Sequence, residues 1–285
     1  QVVKRFRFIW QDKLFDVGAS IGLVPITADS GSLMDVMSAA DSACYIAKDQ
    51  GRNRIHVYQP EDNALVQRRG EMQWVNRVNR ALGEDRFRLL YQKVMPLQSG
   101  ESDRYCEILV RMVDERNPGQ LIMPTHFIPV AEKTGRVMEI DRWVIGEAVR
   151  TLARTPDAPN IAVNISARSL GEPTLSQYIA DMLQRHKVSP KRLVVELTET
   201  AAVADLHDAQ RLIESLRQIG CGVCLDDFGT GFSSFAYLKH LRADTLKIDG
   251  LFIRDLHLDA DNQVFVRAIV NVAKGLGKTV VAEYV

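Results

Sequence analysis

Carboxylates recur at the ends of short apolar runs in this chain, and their spacing suggests where chemistry would reside. Glu107 falls in the run 105–110, Asn164 ends 161–164, and Glu196 ends 193–196. Asp226 and Asp227 follow 222–225, Lys247 sits within 245–248, and Glu283 ends 280–283. A lone Asp at a strand end is ordinarily a helix cap. Five carboxylates and an asparagine at successive ends are not explained by capping. Carboxylates gathered in one place repel one another unless a cation neutralises them. Oxygen donors without histidine or thiolate select magnesium, manganese or calcium. The adjacent Asp226 and Asp227 suit a carboxylate bridging two metals roughly 3.5–4 Å apart. Lys247 adds positive charge beside them. Hydrolysis of a phosphodiester requires this equipment: a metal-activated water and a stabilised leaving oxygen.

The elements that must position these groups read as alternating strands and helices. Strand-like runs occupy 87–91, 105–110, 161–165, 193–197, 222–225, 245–248 and 279–283. Amphipathic stretches at 143–153, 175–186, 209–219 and 263–275 lie between most of them. Such alternation implies right-handed crossovers and a mainly parallel α/β sheet. Seven strands suit either an open doubly wound sheet or a (β/α)8 barrel short of one strand. In a barrel the strand ends converge on one face, where active sites are built.

Ahead of this region, 15–23 reads as a strand, 33–48 as a helix stopped by Gly51, and 55–58 as a short closing strand. That is too little for an independent core, so it reads as a piece of something longer. Residues 60–69 are polar and charged, as in a surface connection, and helical periodicity resumes over 72–82.

Composition narrows the classes. Thirty-six basic and 36 acidic residues cancel, so the counterion-displacing excess of a polymeric nucleic-acid binder is missing. No apolar run approaches the roughly 18–20 residues of a membrane span, and residues 1–8 do not read as a signal peptide. Four cysteines do not make a disulfide framework. Cys221 and Cys224 lie three apart in a strand-like run, so their sulfurs should diverge, as reduced core residues in a cytoplasmic protein. Gly275-Leu-Gly-Lys-Thr279 lacks the first glycine of a nucleotide loop, with Val272 in its place, and has helix before and strand after.

Taken together, Glu107-Ile-Leu-Val-Arg111, Asn164-Ile-Ser166, Glu196-Leu-Thr-Glu199, Asp226-Asp-Phe-Gly-Thr-Gly231, Lys247-Ile-Asp249 and Ala282-Glu283 resemble the EAL family of cyclic di-GMP phosphodiesterases. Tyr91-Gln92 and residues 124–132 also match that framework. In front, Ala19-Ser-Ile-Gly22, Ala40-Asp41, Tyr45, Ala47-Lys48 and Gly51-Arg-Asn-Arg54 resemble the end of a GGDEF (diguanylate cyclase) domain. The resemblance implies an EAL-type (β/α)8 barrel over 79–285, incomplete at its C-terminus. A linker helix over 60–78 and a GGDEF portion over 1–59 would precede it.

The same resemblance implies the roles. Glu107, Asn164, Glu196, Asp226, Asp227 and Glu283 would be metal ligands. Lys247 would position the attacking water, with Glu107 and Glu283 in the catalytic set. Gln92, Leu109, Arg111 and Asp227 would contact substrate, Arg111 through a bidentate grip on phosphate. Glu199 would anchor a mobile loop over 228–235. The implied cofactor is Mg2+ or Mn2+, two ions, with Ca2+ inhibitory because its looser coordination misplaces the nucleophile. The implied partners are cyclic di-GMP and a second EAL domain in a homodimer. The implied location is the cytoplasm, with the full-length protein tethered to the inner membrane as one arrangement.

Departures are specific. The central alanine of the family motif is Ile108, which on a strand points away from Glu107 and Leu109, so a packing change is expected. Tyr91-Gln92 is followed by Lys93 in place of proline. After Glu283-Tyr284-Val285 the family's second glutamate, final strand and later glutamine have no counterpart. The expected activity is hydrolysis of cyclic di-GMP to linear pGpG. The alternatives are a catalytically silent cyclic di-GMP receptor and a bifunctional protein whose cyclase half lies upstream.

Overall fold

The structure, a computed structural model, describes residues 7–10, 13–16, 18–27, 30–59, 61–97, 105–115, 117, 119–230 and 235–285. They divide into two compact units, Gln1–Asn76 and Arg77–Val285.

In the first unit, β1 (Arg7–Trp10) and β2 (Lys13–Asp16) pair antiparallel, and β3 (Ile21–Leu23) pairs parallel with β4 (Ile55–Val57). The helix α1 (Leu33–Asp49) connects β3 to β4. Its start is fixed by a capping box: the Ser32 hydroxyl accepts from the Asp35 N–H, and the Asp35 carboxylate accepts from the Ser32 N–H at 2.8 Å. The single strand expected over 15–23 is two strands, interrupted at 18–20, with Val17 outside the described residues. The polar connection expected over 60–69 is also corrected, because α2 (Asp62–Gly83) begins there. Asp62 accepts from the Gln59 N–H at 2.8 Å and meets His56 Nε2 at 2.9 Å, which anchors a helix start. Polar side chains are compatible with a helix as well as with a loop. Pro60 lies outside the described residues.

The second unit continues through β5 (Phe87–Val94), β6 (Tyr105–Val113), β7 (Leu121–Ile122), α3 (Pro124–Lys133), α4 (Val137–Arg154) and β8 (Asn160–Asn164). Then follow α5 (Ala167–Leu170), α6 (Leu175–His186), β9 (Leu193–Thr198), α7 (Glu199–Ala204), α8 (Leu206–Ile219) and β10 (Gly222–Phe228). It closes with β11 (Thr245–Ile248), α9 (Gly250–Ile253), α10 (Ala260–Gly275) and β12 (Thr279–Ala282). The strand order is β12-β11-β10-β9-β8-β6-β5, with β7 beside β6. Pairing is parallel from β12 to β6, whereas β5 and β7 run antiparallel to β6.

The sheet is curled. Between β6 and β11 lie β8, β9 and β10, so four steps of strand spacing would set them about 19 Å apart on a flat sheet. Yet Lys247 Nζ on β11 lies 2.9 Å from Glu107 Oε2 on β6. Only a barrel-like sheet brings side chains that reach about 10 Å together across that span. Helices cover its outer face. On α4, Val137, Ile140, Val144, Ile145, Ala148, Val149 and Leu152 are buried at helical spacing.

One buried carboxyl ties this layer to the strand ends. Asp141 of α4 accepts from the Ser166 N–H at 2.9 Å and the Ser169 hydroxyl at 2.6 Å, fixing the turn after β8. Burial pushes its pKa up to about 6, against the bonds from Ser169 and Ser166. A carboxyl raised on folding contributes fully below its unfolded value near 4, and that contribution is lost as pH rises through 6. We expect the stability of Asp141→Asn relative to wild type to increase by about 2 kcal/mol from pH 4 to pH 7. Urea titrations across that range would show it, and a pH-independent difference would contradict it.

Candidate active site

The curl points alternate residues of each strand inward. On β6, Glu107, Leu109 and Arg111 share one face, while Cys106, Ile108 and Met112 are buried on the other. Ile108 is therefore a core residue, on the face opposite Glu107.

Lys247 is the centre of the arrangement. Its side chain is 2% exposed, and Nζ lies 2.9 Å from Glu107, 3.4 Å from Glu196, 3.0 Å from Asp226 and 3.0 Å from Glu283. Burial alone would push the ammonium's pKa down. The carboxylates of Glu196, Asp226 and Glu107 outweigh it and hold the value well above that of an ordinary lysine. Lys247 is therefore a buried cation that donates to Glu107, Glu196 and Asp226.

One ammonium does not neutralise five carboxylates. Burial pushes Glu196 up to about 7, with Glu107 and Asp226 adding to the rise and Lys247 and Tyr105 opposing it. Burial likewise pushes Asp227 up to about 6, joined by Asp226 and Glu283, and raises Glu283. Two triplets have carboxylate oxygens within 4.8 Å of one another: Glu107–Glu196–Asp226 and Asp226–Asp227–Glu283. Asp226 belongs to both. An all-oxygen donor set with unneutralised negative charge fits a hard divalent cation.

Strand alternation by itself would point Asp226 and Asp227 to opposite faces. The backbone overrides it. The β10–β11 register shifts between Leu225 and Phe228, and Asp227 adopts φ 53°. A left-handed non-glycine residue costs about 1–3 kcal/mol. Here it is held by the Asp227 N–H donating to Asp226 Oδ1 and by the Thr230 hydroxyl donating to the Asp227 carbonyl, both at 2.9 Å. The bulge brings the second carboxylate to the triplet with Glu283.

The remaining expected residues divide. Asn164, at the exposed end of β8, donates from Nδ2 to Glu107 Oε1 at 2.7 Å and so joins the cluster. Glu199 is buried and accepts from the Gly229 N–H at 2.7 Å and from the Tyr237 hydroxyl. Gly229 has φ +103°, and a Cβ there would come within 2.8 Å of the Phe252 ring. The start of the loop expected over 228–235 is thus tied to Glu199, while 231–234 lie outside the described residues. Gln92 is exposed on β5 opposite Glu107, and Leu109 faces Leu90. Arg111 faces Arg88 and donates to its neighbour's carbonyl, Val110 O, at 2.9 Å. Gln92 thus lies beside the cluster on β5, and Leu109 and Arg111 follow Glu107 on its own face of β6.

Two residues beside the cluster, Tyr105 and Cys224, were not assigned to the site from the sequence. The Tyr105 hydroxyl donates to Glu196 Oε1. Its position two residues before Glu107, on the same strand face, was the available signal. Cys224, two residues before Asp226, is fully buried, and its thiol is raised well above the ordinary value by burial, Glu196 and Asp226. Cys221 precedes β10 and burial pushes it up to about 12, so both thiols are free and unionised. Lys278, from the glycine-rich run before β12, donates to the carbonyls of Leu241 at 3.0 Å and Ala243 at 2.6 Å.

The EAL domain family matches residues 75–285. Cyclic di-GMP phosphodiesterase PdeB of Shewanella oneidensis is 33% identical over 274 residues, 95% of this chain and 32% of that protein. The bifunctional diguanylate cyclase/cyclic di-GMP phosphodiesterase MucR of Pseudomonas aeruginosa is 36% identical over 289 residues, 99% of this chain and 42% of that protein. The chain thus spans about a third to two fifths of the length of these curated relatives. Among solved structures, the PaMucR phosphodiesterase in complex with c-di-GMP has a TM-score of 0.68 at 36% identity, covering 74% of this chain and 85% of that one. The FimX EAL domain of Pseudomonas aeruginosa bound to c-di-GMP has a TM-score of 0.69 at 30% identity, covering 73% and 84%. With the carboxylate cluster at the strand ends of a curled α/β sheet, the chain belongs to the EAL domain family.

Proposed function

We propose that this chain hydrolyses cyclic di-GMP to linear pGpG in a reaction dependent on Mg2+ or Mn2+. The observation that carries the proposal is the pair of carboxylate triplets sharing Asp226 around the buried Lys247. The names of the relatives, aligned over 95–99% of this chain, support the same substrate. Glu107, Asn164, Glu196, Asp226, Asp227 and Glu283 would hold the cations. When bound, they supply water activation and charge neutralisation at the scissile phosphate.

The chain's own residues do the rest. Lys247 donates to the attacking water from its place among Glu107, Glu196, Asp226 and Glu283. Glu283 accepts a proton as water adds to phosphorus and one P–O ester bond breaks, and the departing oxygen takes a proton from solvent water, which leaves a phosphate monoester and a hydroxyl. Arg111 grips phosphate, while Gln92 and Leu109 orient the dinucleotide along β5 and β6, with Asp227 at its edge. Glu199 steadies the loop start through Gly229.

We further assign 1–59 to the end of a GGDEF domain and 79–285 to the EAL barrel, with homodimerisation through the EAL domain and a cytoplasmic location. No described helix is long and apolar enough to cross a membrane.

Chromatography of cyclic di-GMP incubated with the protein tests the activity. Linear pGpG should appear with Mg2+ or Mn2+ and be suppressed by Ca2+. Turnover with calcium equal to that with magnesium would refute the cation assignment, and tight binding without product would make the protein a receptor. A second expectation concerns pH. Glu196 and Asp227, raised to about 7 and about 6, must lose their protons to bind cations. Mn2+ affinity should therefore climb with pH up to about 7 and level off above it. Calorimetric titrations at several pH values would show this, and a flat profile would oppose it.

A further inference from the structure

Each carboxylate of the Glu107–Glu196–Asp226 triplet has one oxygen held by a donor other than Lys247. Asn164 Nδ2 holds Glu107 Oε1 at 2.7 Å, and the Asp227 N–H holds Asp226 Oδ1 at 2.9 Å. The Tyr105 hydroxyl holds Glu196 Oε1, while Glu196 Oε2 faces Lys247 Nζ at 3.4 Å. Glu196 is fully buried, so it cannot turn to offer both oxygens to one ion without giving up the phenol. Of the three ties, one is main chain and one comes from a residue that would itself be a ligand. Tyr105 is the donor whose sole part at the cluster is to hold a carboxylate.

We infer that Tyr105 is a positioning residue that restricts Glu196 to a single ligand oxygen and thereby biases the site toward small octahedral cations and against Ca2+. The inference rests on the reading of the cluster as a divalent-cation site. Mg2+ requires six oxygens at close to octahedral geometry, whereas Ca2+ accepts six to eight and readily takes both oxygens of one carboxylate. A triplet of single-oxygen carboxylates satisfies the first requirement and leaves the second under-coordinated, so Ca2+ still enters and inhibits but binds more weakly than it would with both Glu196 oxygens. Freeing Glu196 Oε1 would supply the extra ligand that calcium can use.

Tyr105→Phe keeps the ring and removes the donor. Mn2+ and Ca2+ affinities would be measured by calorimetry on the metal-free chain, wild type and variant, at one pH. The Ca2+-to-Mn2+ affinity ratio should rise about tenfold or more in the variant, the scale of effects from groups that hold metal ligands. A role confined to packing would weaken both ions alike, and an unchanged ratio would overturn the inference while leaving the metal site standing. Wild type that binds neither ion would overturn the metal site itself. Should the variant fail to fold, infrared spectra of wild type labelled with 13C-glutamate and loaded with Ca2+ decide. The splitting that Glu196→Gln removes from those spectra should be that of single-oxygen ligation, and a bidentate splitting there would overturn the inference.

Discussion

Asp226→Asn is expected to yield a folded protein without measurable cyclic di-GMP hydrolysis. Asp226 is the carboxylate common to both triplets, so its loss disables both at once. Groups that merely hold metal ligands cost up to about 100-fold when removed, and a ligand shared by two ions should cost more. The fold should not suffer. Asp226 is 7% exposed among four other carboxylates, and neutralising it relieves its repulsion of Glu196 and Asp227 while Lys247, 3.0 Å away, keeps three other carboxylate partners. Asparagine keeps an oxygen that can accept the Asp227 N–H, so the bulge survives. The melting temperature without metal should match or exceed wild type, and the rise caused by Mn2+ should vanish. A variant that melts well below wild type in chelator would show that Asp226 acts structurally.

Lys247→Met should have the opposite signature. Methionine fills the same space without the charge, leaving Glu107, Glu196, Asp226 and Glu283 without the ammonium they share. Removing one partner of a buried ion pair typically costs about 3–5 kcal/mol. Lys247 is nearly inaccessible to water, so solvent screening does not reduce that figure much. In chelator the variant should unfold about 10 °C below wild type, and divalent cations should restore part of the loss. Equal stability of the two proteins in chelator would contradict the central role of Lys247.

Legibility in the sequence followed periodicity. The bounds of β11 (Thr245–Ile248) and α6 (Leu175–His186) were readable directly, because apolar spacing and flanking breakers agree there. The helix α3 was not readable from periodicity, since Pro124 and an internal Pro129 interrupt its helical pattern. The antiparallel direction of β5 was also hidden, because side-chain alternation is the same in either orientation. At the site, residue types at strand ends showed which groups gather, and Ile108 pointed outward as alternation requires. The bulge at Asp227 was invisible, since it depends on register with β11. So was the meeting of Lys247 with Glu107, which are 140 positions apart and join only through the curl of the sheet. Tyr105 looked like an ordinary strand aromatic because its acceptor lies on a different strand.

The most direct test of the account follows bound metal and product together. Mn2+ would be titrated into chelator-stripped protein, with ion occupancy and linear pGpG formation recorded at each step, for wild type and Asp226→Asn. Turnover should rise with occupancy toward two ions per chain in wild type and be absent in the variant. Product formed in chelator, or a fully loaded wild type that binds cyclic di-GMP without cleaving it, would contradict it.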